Sequence, residues 1–159
     1  MTAQPTGRLR GNDLVLSRRF RASIEDVWTS ITDPTSTARW FGGWEGTPGV
    51  GNEIRVQMAF EDGAPWLTKK IATCEPPRRL VLDSVGSSMT SRLELALTST
   101  TDGCELEFIH HAIDRKRVGD VGPGWEYYLD CLVASRDNTP RPKFDDYYPA
   151  QKAYFAGLA

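Results

Sequence analysis

Apolar and polar residues alternate with a period of two over several stretches of this chain, and a period near 3.6 replaces it in two others. Leu14, Leu16, Arg18 and Phe20 alternate with Val15, Ser17 and Arg19, which predicts a first strand ending at Ala22. Ser23 stands three residues ahead of Asp26 as an N-cap signal, and Ile24, Val27, Trp28 and Ile31 follow at helical spacing. Asp33 then caps a second short helix with Pro34 at its first position, and Gly42-Gly43 stops it. Two helices thus interrupt the sheet early.

From Trp44 onward the period returns to two. After a Gly-rich connection over 46–51, Ile54, Val56, Met58 and Phe60 alternate with Glu53, Arg55, Gln57 and Ala59. Asp62-Gly63 turns the chain into a strand from Trp66 to Glu75, which Pro76-Pro77 ends. Leu80 to Val85 forms the next strand, and Gly86-Ser87-Ser88 turns into Met89 to Ser99. Thr101-Asp102-Gly103 leads to a last strand from Cys104 to Ile113. This is the pattern of an antiparallel meander.

The charged, glycine-containing segment Arg115 to Gly122 reads as a connection, with Pro123 at the first position of a long helix. Trp125, Tyr128, Leu129, Leu132 and Val133 form an apolar stripe on that helix, and Asn138, Pro140 and Pro142 end it. The expected fold class is α+β, with a curved antiparallel sheet of about six to seven strands wrapped around the C-terminal helix. Residues 1–12 read as a flexible polar leader and 13–138 as the domain. The segment 139–159 reads as a tail, with Phe144, Tyr147, Tyr148, Tyr154 and Phe155 packing on the domain or on a partner subunit of a homodimer.

Composition narrows the function classes. With 159 residues, 40% of them hydrophobic, one domain can bury a core without disulfides or a structural metal. A net charge of -2 and a pI near 5.7 argue against nucleic acid as partner. The clusters Lys69-Lys70, Arg78-Arg79 and Arg115-Lys116-Arg117 accordingly read as solvated faces. No stretch reaches the roughly 18 apolar residues of a membrane span, and the polar start lacks the core of a signal peptide, so the expectation is a cytoplasmic chain without a membrane partner. Cys74, Cys104 and Cys131 form no CxxC pair and read as reduced packing thiols, with no metal and no cofactor implied.

Several segments together resemble a known family. Arg19-Phe20-Arg21-Ala22-Ser23 with Val27-Trp28, then Asp33-Pro34 and Trp40-Phe41, resembles the opening of proteins like the C-terminal domain of the heat-shock protein 90 ATPase activator. Glu75-Pro76-Pro77-Arg78-Arg79-Leu80-Val81 resembles their strand-turn-strand signature, and Gly124-Trp125 with Leu129 and Leu132 resembles their helix. The resemblance runs from about Asp13 to Arg136. It implies the helix-grip fold of the START-like (SRPBCC) superfamily, whose members hold lipids, steroids, polyketides or other hydrophobic molecules between sheet and helix. The family name comes from two-domain co-chaperones, and with 159 residues the expectation is one domain without their additional one.

The candidate site follows from the alternation. Inward faces would contribute Val56, Met58 and Phe60, then Leu95, then Phe108 and His110, opposite Trp125, Tyr128 and Leu129. Trp40, Phe41, Trp44 and Trp66 would stand near the mouth. The same residues would equally well fill a dry core. His110 and His111 point to opposite faces of a strand, so they do not chelate one ion, and His110 is the one that faces inward. Binding of a small hydrophobic ligand, as a carrier, sensor or stress-related protein, is therefore the leading reading over catalysis. A cyclase-like or hydrolase-like enzyme using His110 with Tyr128 or Asp130 is the second. A chaperone-linked interaction module using exposed aromatics around Trp40 to Trp44 and in the tail is the third.

Overall fold

The computed structural model describes residues 3–86 and 91–159, so the turn expected at Ser87-Ser88 and the strand start at Met89 lie outside the described residues. The strands are β1 (Arg8–Arg10), β2 (Asp13–Phe20), β3 (Trp44–Gly46), β4 (Glu53–Gln57), β5 (Trp66–Glu75), β6 (Arg79–Ser84), β7 (Arg92–Thr100) and β8 (Gly103–His111). They form one curved antiparallel sheet in the order β1-β2-β8-β7-β6-β5-β4-β3. Eight strands stand where six or seven were expected, because the short edge strands β1 and β3 carry too few residues to show alternation. Helices α1 (Ile24–Thr32) and α2 (Pro34–Thr37) fill the crossing from β2 to β3 at the far edge. Their caps are those of the sequence: the Ser23 side chain accepts from the Asp26 amide at 3.2 Å, and Asp33 accepts from the Ser36 amide at 3.0 Å.

The long helix α3 (Val118–Asp137) begins earlier than its stripe suggests, with Pro123 inside it rather than at its start. Proline lacks the N–H that an interior helical position donates, which is why it reads as a first position. The start signal lies further back, where the Asp114 carboxylate caps a 3-10 turn (Arg115–Arg117) that runs straight into α3. Glycine at 122 serves packing, since a Cβ there would stand 2.3 Å from the ring of Phe155. Phe155 belongs to α4 (Lys152–Ala156), which follows a 3-10 turn (Phe144–Asp146) and packs against the start of α3, with the Phe155 ring between Gly122 and Gly7.

The segment read as a polar leader is fixed from Thr6 onward. Arg8 and Arg10 on β1 pair with Glu107 across the outer face of the sheet. Glu126 of α3, 1% exposed, accepts from the Thr6 and Gly7 backbone amides and from the Thr6 hydroxyl. Its charge is matched by Arg18, which lies on the inner face of β2 and bonds Glu126 at 2.8 Å and Asp130 at 3.0 Å. Tyr147 donates to the other Asp130 oxygen at 2.7 Å, and Tyr154 donates to the Gly7 carbonyl at 2.8 Å. Both ends of the chain therefore close on one buried ionic cluster. Among the described residues no helix is long and apolar enough to cross a membrane.

Candidate functional site

The inner face of the sheet does not pack solidly against α3. Alternation along β4, β6 and β7 sends Val56, Leu80, Leu82, Leu93 and Leu95 inward, and they enclose a cavity of about 140 Å³ with Leu129 and Phe108. A bulge between Ile71 and Thr73 changes the phase of β5, so that Ile71 and Cys74 both line it. Burial raises the pKa of the Cys74 thiol, which keeps it neutral. Trp40 and Trp44 close the side nearest α1, held by indole N–H bonds to the Ser30 and Thr32 carbonyls at 2.9 and 2.8 Å. Between them the backbone passes so close to Gln57 that a Cβ at Gly42 would stand 2.1 Å from its carbonyl oxygen.

A second space, an open cleft of about 870 Å³, adjoins the cavity on the side of the start of α3. Phe41, Leu93, Trp125 and Tyr128 line both spaces and so form the partition between them. The rings of this partition touch: Phe41 lies 4.9 Å from Tyr128 edge-on and 6.2 Å from Trp125. Burial and the nearby Glu61 carboxylate, to which Tyr128 donates, both raise the Tyr128 pKa, so its hydroxyl stays protonated. The cavity is almost wholly apolar, whereas the cleft carries Lys69, Ser84, His110 and Arg117.

His110 is held in one tautomer. The Trp125 indole can only donate, and it does so to His110 Nδ1 at 3.1 Å, which leaves the proton on Nε2. Burial, and then the neighbouring Lys69 charge, lower the His110 pKa to about 4. Between pH 4 and about 6.5 the unfolded chain binds a proton at this position that the folded chain does not, so folding stability falls as pH drops through that window. We expect the ring protons of His110 to show no titration between pH 8 and 5 by NMR, and His110→Gln to flatten the loss of stability in urea over pH 6.5 to 4. A midpoint near 6.5 would contradict the burial of this ring.

The structure brings together most of the residues singled out on sequence. Trp40, Phe41, Trp44, Val56, Leu95, Phe108, Trp125, Tyr128 and Leu129 all line the cavity, and Met58 and His110 line the cleft. Phe60 and Trp66 do neither. The β4 ladder stops at Gln57, so the turn begins before Phe60 and carries it outward, where the Arg141 guanidinium covers it 3.3 Å from the ring centre. Trp66 faces outward beneath Arg55 and is 45% exposed.

Asp130 is committed to Arg18 and Tyr147 on the far side of α3 and does not reach His110. Trp40 is buried and Trp44 half-buried, so neither is the exposed aromatic expected of a docking face. His111 lies on the outer face between Asp13 at 3.2 Å and Glu94 at 2.8 Å. Lys69, read as part of a solvated pair, points inward and is 7% exposed. The signal was present in the strand period, because Lys69 shares its face with Ile71 while Lys70 does not.

Comparisons with known proteins agree with this fold. The crystal structure of CalU16 from Micromonospora echinospora superposes with a TM-score of 0.76 at 28% identity, covering 92% of this chain and 87% of that one. A solution structure of the protein encoded by BPP1335 from Bordetella parapertussis gives 0.72 at 25% identity, over 96% and 88% of the two chains. DynU16, a protein of the dynemicin biosynthetic locus, gives 0.71 at 21% identity, over 88% of this chain and 51% of its own, a likeness of fold. Among curated proteins none matches the chain in sequence. The pattern described as Activator of Hsp90 ATPase homolog 1-like protein matches residues 21–135, and the chain belongs to that family, within the START-like superfamily.

Proposed function

We propose that this protein binds a small, largely apolar molecule whose ring or alkyl end enters the cavity and whose remainder lies in the cleft, as a carrier or sensor. The observation that supports this most directly is the sequence of spaces: an apolar chamber, an aromatic partition, then a polar opening. The chamber's 140 Å³ is close to the roughly 150 Å³ of an apolar cavity that takes up benzene. Sites for drug-sized ligands run from about 300 to 1,000 Å³, so a larger molecule would need the cleft as well. The fold is of a kind that binds small hydrophobic ligands.

The tautomer of His110 favours this reading over a cyclase or hydrolase. With Nδ1 taken by Trp125, the imidazole offers an N–H to the cleft and no lone pair, so it can orient a ligand but is not poised to remove a proton. Calorimetry with indole as a ring-sized probe tests the proposal. Wild type is expected to bind it, and Leu95→Trp, which fills the chamber, to weaken binding at least about tenfold with the far-UV spectrum unchanged. Equal binding by both proteins, or none by the wild type at millimolar indole, would refute a ligand chamber at this place.

A further inference from the structure

We infer that Lys69 and His110 form a head-group subsite in the cleft, and that the ligand is an amphipathic anion, a carboxylate carried on an apolar body. This rests on the binding reading above and adds to it the charge of the molecule and the end by which it is held.

The register places Lys69 where an apolar residue would stand. It pairs with Ile54 on β4 and Ser84 on β6, inside the sheet, and its side chain is directed to the same face as Ile71. Its ammonium has three donors, and among the described residues one is used, by the Ser84 hydroxyl at 3.0 Å. That hydroxyl is itself 2.7 Å from Ser91 Oγ, so the partner of the charge is a pair of neutral groups. Residues 87–90 contain no acid. Buried charge is ordinarily paired, because desolvation costs several kcal/mol per ion. The other inward-facing cation, Arg18, obeys this with two carboxylates.

Carboxylates also border the cleft, but none of them bonds Lys69. Glu61 accepts from Tyr128, Asp120 from Tyr148 and Lys152, and Asp114 from the Lys116 amide. Among the described residues the Lys69 ammonium and His110 Nε2–H have no carboxylate partner, and both groups line the cleft. Burial lowers the Lys69 pKa, with no opposing contribution from any acid. An anion arriving beside it would supply the missing counter-charge. Its apolar body would then extend past Phe41 and Trp125 towards the chamber, which shares those two rings with the cleft. Beside Lys69 a cation or a neutral alcohol would gain no such pairing.

A matched pair of probes tests this, 4-phenylbutyrate and 4-phenylbutanol, which share a ring and chain and differ in the head. At pH 7 and low salt the carboxylate is expected to bind at least about tenfold more tightly to the wild type. Lys69→Met is expected to abolish that preference without changing the affinity for the alcohol, and Lys69→Arg to restore part of it. If both probes bind equally and Lys69→Met changes neither, the head-group assignment is wrong and the binding reading stands. If neither probe binds, the binding reading falls and takes the assignment with it.

Discussion

Glu126→Ala is expected to lower the unfolding free energy by about 3–5 kcal/mol, the usual cost of removing one partner from a buried ion pair. At 159 residues this corresponds to a fall of about 10 °C in Tm. The reason lies in what Glu126 satisfies: the Arg18 guanidinium, the Thr6 hydroxyl and two backbone amides near the start of the chain. Without it Arg18 keeps only Asp130 as a carboxylate partner, and the Thr6 and Gly7 amides lose theirs. The double replacement Arg18→Met with Glu126→Leu should recover a part of the loss, since an apolar pair of similar volume often substitutes for a buried ionic one. Recovery should stay incomplete because the amides still lack an acceptor. Equilibrium urea unfolding of the wild type and both variants measures all of this. A loss below about 1 kcal/mol for Glu126→Ala would mean that the pair behaves as a solvated surface bridge.

Phe155→Ala should cost about 3–5 kcal/mol, the range for emptying a fully buried aromatic site. The ring is 0% exposed and fills a slot whose walls are Gly7 and Gly122. The more informative measurement is its coupling to Gly122. In a free helix Gly→Ala stabilises by about 1 kcal/mol, but here the added methyl would meet the Phe155 ring at 2.3 Å. Gly122→Ala should therefore destabilise the wild type by about 1–3 kcal/mol, the cost of overpacking. In the Phe155→Ala background the same change should be neutral or stabilising. A double-mutant cycle by chemical denaturation reads the change of sign. Stabilisation of equal size in both backgrounds would show that the ring does not sit on the helix.

The parts of this architecture that were legible in the sequence are those that local periodicity controls. The alternation in β4, β7 and β8 and the stripe on α3 placed Val56, Leu95, Phe108 and Leu129 around one space, and strand geometry alone separated His110 from His111. The losses occurred where a residue type has two uses. Gly119, Gly122 and Pro123 look like helix breakers, yet the two glycines admit α4 against α3. Lys69 was grouped with Lys70 by composition although its strand phase sent it inward. Phe60 continued an alternation that the backbone had already left at Met58. Anchoring of Thr6 by Glu126 joins positions 120 residues apart, and no window along the chain contains both.

The sheet order also governs how the chain is made. β2 has two neighbours, the three-residue β1 and β8, so its long partner is the last strand of the sheet to be synthesised. Leu14, Val15 and Leu16, each fully buried in the finished molecule, must wait for residues 103–111. At translation speeds of about 5–20 residues per second that delay is on the order of ten seconds. For that interval the emerging polypeptide holds an apolar β-edge without its long partner, the kind of edge that invites pairing with other chains, so the order of synthesis exposes a hazard that the finished fold no longer shows.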